Sequence, residues 1–507
     1  MSYILLKSVI LGSFFALIGC RQVNQKGSLQ SVENKVEEGQ FYQAGQLIDS
    51  LRQVSENDAQ GVAKLDSLQD MMRRILLDFS KDEKQVKSEL SRYGLSDDSL
   101  MRQWENSGKL EMRIIDGQRR YFSNAVPNLF RLDSKANLRK LQTDGIQIDS
   151  IGLFRLKHTA DIIQASDELF HPVLPVSMTL TYTVKVKPNV VPEGKLISCW
   201  MPVPREGNPR QKKFTLLETI PDSSILAPGA ALQRTIFLQK RAVNNEPTVF
   251  QIRFVVETAA QYFDLSPAKI KPYVTESEQY REYTAERPPQ IVFTRQIREL
   301  AERIAGDETN PLRKTERIYR WISDTIPWAG ALEYCTMKHI PGYVIENGHG
   351  DCGMQTLLFM SLIRSQGIPA KWQSGWMLHP GHVNLHDWCE VYYEGIGWVP
   401  VDQSFKLQDS DDKRVREFYM HGIDSYRLIV NDDYGRELYP PKKFPRSEPY
   451  DFQRGELEWE GGNLYFDQWS WDMKVEYHME TGDRRPETGG RRMETGTRRA
   501  GANSVAT

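Results

Sequence analysis

Cys352 occupies a position at which a thiol can act as a nucleophile. It follows a glycine-rich segment, Gly-His-Gly-Asp at residues 348–351, and precedes an apolar run that extends from Met354 to Ile363. This pattern predicts a helix that begins at or just after Cys352. The dipole and the free N–H groups of a helix N-terminus stabilise a thiolate, so we expect the helix to lower the pKa of this thiol. The same N–H groups could donate hydrogen bonds to an oxyanion.

A base for this thiol is predicted in a β-hairpin downstream. Alternation puts His386 and Tyr392 on one face of a strand, a Gly-Ile-Gly turn follows at residues 395–397, and a second strand leads to Asp402. His386 and Asp402 each lie eight residues from position 394. In a regular hairpin of matching parity they would share a face and lie within about two positions of each other, so an imidazole–carboxylate contact is expected.

A thiol, an imidazole and a carboxylate are the groups that nucleophilic acyl transfer requires. Cys352 would attack, His386 would hold the proton and return it to the leaving amine, and Asp402 would orient the ring and stabilise its cation. A packed cysteine and a structural strand histidine with a surface aspartate are the alternative interpretation. For any one of these residues alone, that alternative would be preferred.

Together the three segments resemble the transglutaminase-like superfamily. The family pattern is a Gly-x-Cys helix start, a His-x-Trp-x-Glu-Val strand and a Gly-Trp-x-x-x-Asp strand, and the matching residues here are 350–352, 386–391 and 397–402. The resemblance covers about residues 292–405. The segment Gly-Ile-Pro-Ala-Lys at residues 367–371 also fits, although the family commonly has Arg where Lys371 stands.

The resemblance implies a papain-like α+β core and an upstream aromatic residue that supports the oxyanion. Trp328 is similar to that residue in position, and an ordinary buried Trp is the alternative. Papain itself fits less well, because Glu346 stands where that family has its oxyanion Gln. The mechanism implied by the resemblance needs no cofactor.

A metal site is a competing interpretation of the histidines in this region. His379, His382 and His386 are spaced as H-x2-H-x3-H, with His349 nearby, and neutral imidazoles can bind zinc. Pro380 follows the first of them and predicts a loop, in which helical ligand geometry is lost. We therefore expect no metal.

Periodicity changes along the rest of the chain. Apolar residues recur at helical spacing between residues 41 and 79, a short hairpin is predicted around Asp116-Gly117, and from about residue 175 the period becomes two. Leu180 and Tyr182 belong to one alternating run, and Phe250 and Ile252 belong to another. The chain is thus expected to be a multidomain α+β protein, with an N-terminal helical region and an antiparallel β domain before the transglutaminase-like core.

The predicted segments cover the whole chain. They are a lipoprotein signal peptide (1–20), a helical N-terminal region (21–170), an antiparallel β domain (171–266), a catalytic core (285–420), a β-rich extension (421–478) and a tail of three seven-residue repeats (479–507). A polar linker is expected at about residues 267–289, and strands beyond residue 420 are expected to close over the core. Gly and Pro recur in the repeats, so the tail is predicted to be disordered.

The first twenty residues indicate export. Lys7 precedes a short apolar run that ends in Leu-Ile-Gly-Cys at residues 17–20. The run is too short to span a bilayer, and it resembles a signal peptide that ends in a bacterial lipobox, with Cys20 as the lipidated residue. A chance cysteine beside a cleaved signal is the alternative. The resemblance implies a lipid-anchored protein of the bacterial cell envelope, with the outer membrane as the expected location.

Three functions fit these patterns. The first is a cysteine peptidase or amidase that hydrolyses amide bonds in extracytoplasmic peptide, glycopeptide or protein substrates. The second is a transglutaminase that transfers the acyl group to an amine, and the third is a non-catalytic surface or assembly lipoprotein. The net charge of -2 predicts no attraction to nucleic acid. Five cysteines permit a disulfide such as Cys335–Cys389 but do not require one.

Overall fold

The computed structural model describes residues 29–54, 59–146 and 148–478. The predicted signal peptide with Cys20 and the predicted repeat tail lie outside these residues. The chain divides into two compact units, which adjoin in sequence between residues 146 and 147. The protein is therefore a mixed helix and sheet protein with more than one compact unit.

The first unit is mainly helical. Its helices are α1 (described from residue 29 to residue 37), α2 (Phe41–Val54), α3 (Ala59–Asp78), α4 (Glu83–Ser91), α5 (Asp98–Asn106), α6 (Ala125–Leu132) and α7 (Ser134–Asp144). Its one described hairpin joins β1 (Met112–Ile115) to β2 (Gln118–Tyr121). The apolar faces predicted for α2 and α3 are buried, with Ile48 and Leu65 at their centres.

The predicted hairpin is confirmed. Its turn is Asp116-Gly117, and both residues have positive φ, of 48° and 76°. The Asp116 carboxylate accepts a hydrogen bond of 3.0 Å from the N–H of Tyr42. This bond attaches the turn to the start of α2.

The second unit contains two large antiparallel sheets. One has the order β12-β8-β3-β16, with β5 also paired to β8, and the other has the order β15-β14-β4-β7-β6. Their bounds are β3 (Val173–Val186), β4 (Leu196–Pro202), β5 (Gln211–Ile220), β6 (Ser224–Leu226), β7 (Thr235–Arg241), β8 (Thr248–Tyr262), β12 (Gly422–Ile423), β14 (Glu456–Trp459), β15 (Gly462–Leu464) and β16 (Trp469–His478).

The alternation read from the sequence sets the register of these sheets. Leu180 pairs with Phe254 and Tyr182 pairs with Ile252, and all four side chains are fully buried in one apolar core. Most strands beyond residue 420 belong to these sheets: β14 pairs with β4, and β16 pairs with β3 along its whole length.

A third layer belongs to the same compact unit. A third antiparallel sheet has the order β11-β10-β9-β13 and lies against a set of helices. Its strands are β9 (Ala370–His379), β10 (His382–Tyr393), β11 (Gly397–Val401) and β13 (Arg427–Asn431), and the helices are α10 (Arg295–Ala305), α11 (Pro311–Thr325), α12 (Ile340–Asn347) and α13 (Cys352–Ser365). Trp376 and Leu428 of this sheet are buried in the core of the two large sheets.

The remaining elements are short or lie between the two layers. They are α8 (Ser150–Ala165), α9 (Glu278–Thr284), α14 (Lys413–Arg416) and four 3-10 turns (Pro267–Lys269, Tyr334–Thr336, Gln403–Phe405 and Phe418–Met420). The expected linker thus contains α9, and it is bound to the core because the Tyr273 hydroxyl donates to the carbonyl of Tyr392 (2.8 Å). Among the helices at positions 29–54, 59–146 and 148–478, none is long and apolar enough to cross a bilayer.

Candidate active site

Cys352 is the first residue of α13, as the glycine-rich segment predicts. Asp351 caps this helix: its carboxylate accepts a hydrogen bond of 3.1 Å from the N–H of Met354 and another from the Tyr334 hydroxyl. Gly353 must be glycine, because a Cβ there would lie 2.3 Å from the Tyr334 hydroxyl oxygen and 2.7 Å from Asp387 Oδ2. The helix start is therefore in close contact with both side chains.

The thiol of Cys352 donates a hydrogen bond to the residue that follows the predicted base. Cys352 Sγ lies 3.5 Å from Asp387 Oδ2, and Asp387 Oδ1 accepts a bond of 2.6 Å from Gln453 Nε2. Desolvation by burial raises the pKa of the Cys352 thiol well above its usual value, and the charges of Asp387 and Asp351 raise it further. The expectation that the helix lowers this pKa is therefore wrong. Two buried carboxyl groups outweigh the helix dipole, whose effect is modest.

His386 and Asp402 meet as the hairpin predicts. Strand β10 pairs with β11 so that Cys389 opposes Val401, which places Asp402 two positions from His386 on the neighbouring strand. His386 Nε2 lies 2.7 Å from Asp402 Oδ2. Asp402 is fixed at its backbone as well, because its N–H donates to the carbonyl of Tyr419 (2.9 Å) and its carbonyl accepts from the Tyr319 hydroxyl (2.9 Å).

Opposing effects set the charge of Asp402. Burial alone would raise the pKa of its carboxyl, but the nearby His386 and Arg427 outweigh burial and lower it to about 2. The Ser404 hydroxyl adds a hydrogen bond of 2.8 Å to Asp402 Oδ1. Asp402 is thus an ionised carboxylate at neutral pH.

His386 is held as a neutral base. Burial lowers the pKa of its imidazole, Asp402 raises it, and Arg427 lowers it again, so that the net shift is downward. Since the ionised Asp402 can only accept, we assign the ring proton to Nε2, which leaves Nδ1 as the basic nitrogen. Gln453 Nε2 also donates to the carbonyl of His386 (2.8 Å), which fixes the strand at this point.

Trp328 lies beside the helix start. Its backbone forms a parallel bridge with Gly350, and the N–H of Ala329 donates to the carbonyl of Gly350 (3.2 Å). The segment that carries Trp328 is thereby attached two residues before Cys352.

The histidines proposed as zinc ligands have different partners. His379 Nε2 lies 3.2 Å from Asp424 Oδ1, whereas His386 contacts Asp402. His349 is buried, and burial lowers the pKa of its imidazole to about 4. Within the described ranges, no group of three or more His, Cys, Asp or Glu side chains is arranged to hold a metal ion. The sulfurs of Cys335 and Cys389 are not joined in a disulfide.

Two residues of this site were missed by sequence reasoning. Arg427 Nη1 lies 2.9 Å from Asp402 Oδ2, yet Arg427 belongs to no motif and reaches the site only because β13 pairs with β9. Asp387 stands inside the His-x-Trp pattern, so its position beside His386 was a usable signal. Strict alternation places it on the opposite face of the strand, and its contact with Cys352 could not be read from that pattern.

Comparison with known proteins identifies the domain. Residues 298–403 match the model of the transglutaminase-like superfamily. A protein of Haemophilus influenzae described as uncharacterized is 23% identical over 297 residues, which make up 50% of this chain and 78% of that protein.

Two solved structures are also similar. A candidate cysteine protease from Cytophaga hutchinsonii is 14% identical with a TM-score of 0.42, over 62% of this chain and 95% of that one. The periplasmic domain of TgpA from Pseudomonas aeruginosa is 13% identical with a TM-score of 0.24, over 47% of this chain and 91% of that one. From the family match, residues 298–403 form a transglutaminase-like domain, which contains Cys352, His386 and Asp402.

Proposed function

We propose that the chain is a thiol-dependent amide-bond hydrolase that works through an acyl-enzyme on Cys352. The observation that carries this proposal is the 2.7 Å contact of His386 with an ionised Asp402, together with the hydrogen bond of the Cys352 thiol to Asp387, the residue that follows His386. Cys352 is partly exposed as a residue, whereas His386 and Asp402 are buried. His386 Nδ1 is the basic nitrogen on the same ring.

The proposed reaction begins from a neutral thiol and a neutral imidazole. As Cys352 Sγ bonds to the substrate carbonyl carbon, its proton passes to His386 Nδ1, and Asp402 stabilises the imidazolium. The proton then goes to the leaving amine as the C–N bond breaks, which leaves a thioester. Water attacks the thioester as His386 takes a proton from it, and His386 gives that proton to Sγ as the C–S bond breaks, which releases the acid and restores the thiol.

The oxyanion needs donors beside the carbonyl. The N–H of Cys352 at the start of α13 and the indole N–H of Trp328 are the proposed donors. The attachment of the Trp328 backbone to Gly350 supports this role, since it places residue 328 beside the segment that leads into α13.

The proposed substrates are peptides, glycopeptides or proteins outside the cytoplasm. This part of the proposal is supported by the sequence pattern that ends at Cys20, where a lipid would anchor the chain in the cell envelope, with the outer membrane as the proposed location.

The test uses a peptide library and mass spectrometry, with and without an added primary amine. We expect the wild type to give hydrolysed products and the Cys352→Ala variant to give none. Cys335→Ser is the matched control, because Cys335 is a partly buried thiol outside the candidate triad, and its sulfur contacts the Tyr465 hydroxyl at 3.5 Å. Amine incorporation in place of hydrolysis would indicate a transglutaminase, and equal inertness of wild type and Cys352→Ala would indicate a binding protein.

A further inference from the structure

Arg427 is a fully buried cation that touches the carboxylate of the candidate triad. Its side chain has no solvent exposure, and its Nη1 lies 2.9 Å from Asp402 Oδ2. That oxygen is the same one that contacts His386 Nε2. The guanidinium also packs over the Phe405 ring, with Cζ 4.0 Å from the ring centroid. Stacking of this kind fixes the plane of the guanidinium.

A second carboxylate holds the other side of Arg427. Arg427 Nε donates to Asp424 Oδ2 at 3.1 Å, and Asp424 also accepts from the Tyr419 hydroxyl (3.1 Å). Asp424 Oδ1 accepts from the N–H of Tyr426 (2.9 Å). The cation is therefore fixed between two carboxylates, one of which belongs to the triad.

The charged and titratable groups around this cation come from each packed element. They are Asp402 after β11, His386 on β10, His379 on β9, Asp424 before β13, Tyr419 in the 3-10 turn, and Arg155 of α8, whose Cζ lies 4.5 Å from the centroid of the Phe405 ring. Asp402 and Asp424 have lowered pKa values and Arg427 has a raised one, so two carboxylates face one guanidinium. The pKa of His386 is shifted downward beside them, which favours its neutral form.

Without Arg427, the balance around His386 would change. Asp402 would be a buried carboxylate whose remaining cationic partner is His386, and a buried carboxylate is strongly unfavourable without a counter-charge. Protonation of His386 would then be favoured at rest. A protonated imidazole cannot accept the thiol proton, so the base would be lost over part of the working pH range.

We propose that Arg427 is a positioning residue of the catalytic set, which holds Asp402 Oδ2 in place and supplies the permanent counter-charge that lets His386 rest in its neutral form. The inference rests on the proposed function for its catalytic meaning. The arrangement of charge can nevertheless be measured without any substrate.

The test follows the titration of His386 by NMR in the full chain. Histidines labelled with ¹³C at Cε1 give one signal each, and the signal missing from His386→Asn identifies the residue among the nine. In Arg427→Met we expect the midpoint to rise by about one pH unit, because a nearby like charge is removed. In Arg427→Lys, which keeps the charge, we expect a much smaller change.

Two further variants distinguish an effect of charge on the His386 midpoint from a general disturbance of the fold. Asp424→Asn removes a negative charge that favours the imidazolium, so the His386 midpoint should fall, opposite to the effect of Arg427→Met. Arg364→Met removes a buried arginine that donates to the carbonyl of Ala370 and does not contact Asp402, so the midpoint should stay unchanged. Opposite shifts in folded Arg427→Met and Asp424→Asn support the inference.

An unchanged midpoint in Arg427→Met, or equal shifts in Arg427→Met and Arg364→Met, would overturn the inference. If Arg427→Met does not fold, Arg427→Lys and Asp424→Asn still decide, because the first should keep the midpoint and the second should lower it. A failure of the proposed function gives a different result: the titration would shift as expected while no variant, including the wild type, cleaves any peptide.

Discussion

The two sides of the candidate active site differ in how their charges are balanced. On the imidazole side, the ionised Asp402 faces His386 at 2.7 Å and Arg427 at 2.9 Å, and its pKa is lowered to about 2. On the thiol side, Cys352 donates to Asp387 at 3.5 Å, and the pKa of Asp351 beside it is raised to about 6 by burial. The surroundings of Asp402 thus stabilise its negative charge, whereas the surroundings of Cys352 disfavour a negative charge on its sulfur.

This difference indicates how the proton moves. A resting thiolate would need positive charge around sulfur, but the groups nearest to Cys352 are carboxyls. The upward shift of the thiol pKa and the downward shift of the imidazole pKa both favour neutral groups, so the thiol proton is expected to transfer during attack on the substrate. The order of events is then closer to that of a serine hydrolase than to that of a preformed thiolate–imidazolium pair.

The largest expected loss of activity comes from removal of the Asp402 charge. Asp402→Asn should lower kcat by about 10³-fold or more, because the amide no longer selects the tautomer with a basic Nδ1 and no longer stabilises the imidazolium. The measurement is the rate of thioester formation with an activated ester. Ser404→Ala is the control, since it removes one hydrogen bond to Asp402 Oδ1 and should cost tenfold at most. Equal rates for Asp402→Asn and wild type would contradict the assigned role.

A methyl group at position 353 should displace side chains near the Cys352 thiol, because the space beside residue 353 is already filled. Gly353→Ala places Cβ 2.3 Å from the Tyr334 hydroxyl oxygen, so Tyr334 or Asp387 must move, at a cost of about 1–3 kcal/mol in the free energy of unfolding. We expect a lower Tm by calorimetry and slower acylation of Cys352. Gly45→Ala in α2 is the control, because no atom lies within 4 Å of the added carbon. An unchanged Tm in Gly353→Ala would show that this contact is looser than described.

Removal of the Asp387 charge should have the opposite effect on reactivity, because it should make the Cys352 thiol more reactive. Asp387→Asn should increase the rate of Cys352 alkylation by iodoacetamide by about tenfold, because the thiol pKa falls when a neighbouring negative charge is lost. The gain should grow as the pH rises through the titration of Asp387, whose pKa is raised by burial, Asp451 and Asp351. Glu390→Gln on the same strand is the control, since Glu390 pairs with Lys371 at 2.7 Å. A slower alkylation in Asp387→Asn would mean that this carboxyl activates the thiol.

The smallest expected effect is a change in how the stability of the protein depends on pH. Asp351 has a raised pKa of about 6, so the stability linked to its protonated form is present below pH 4 and is lost as the pH rises towards 6. Asp402 affects stability in the opposite direction: the stability linked to its ionised form is present above pH 4 and is lost as the pH falls towards 2. In Asp351→Asn, Tm should therefore depend less on pH between 4 and 6 than in the wild type. The same slope in both proteins would contradict the assigned shift.

The helices and strands that carry the site were predicted better from the sequence than the charge contacts and pKa shifts within the site. The alternation around Leu180 and Phe254 predicted two strands, and the hairpin parity predicted the approach of His386 to Asp402, because both depend on local periods. The start of α13 at Cys352 followed from the glycine-rich segment and the apolar run behind it.

Other features depend on contacts between distant segments. Arg427 reaches Asp402 through the pairing of β13 with β9, and Gln453 reaches His386 from the C-terminal region, so no local pattern predicts either contact. The direction of the Cys352 pKa shift was predicted incorrectly, because burial and Asp387 act on the thiol only after folding. The destination of the strands beyond residue 420 was missed for the same reason, since strands such as β16 pair with β3 far back in the chain.

The most direct test of the central claim is the acylation of Cys352 by p-nitrophenyl acetate, measured as intact mass over a range of pH in the wild type and in His386→Asn. We predict a single acetyl group on Cys352 in the wild type, formed at a rate that follows the titration of His386, and a rate lower by about 100-fold or more at neutral pH in His386→Asn. Equal acylation rates and equal pH profiles in the two proteins would contradict the claim that Cys352 and His386 act as one catalytic unit.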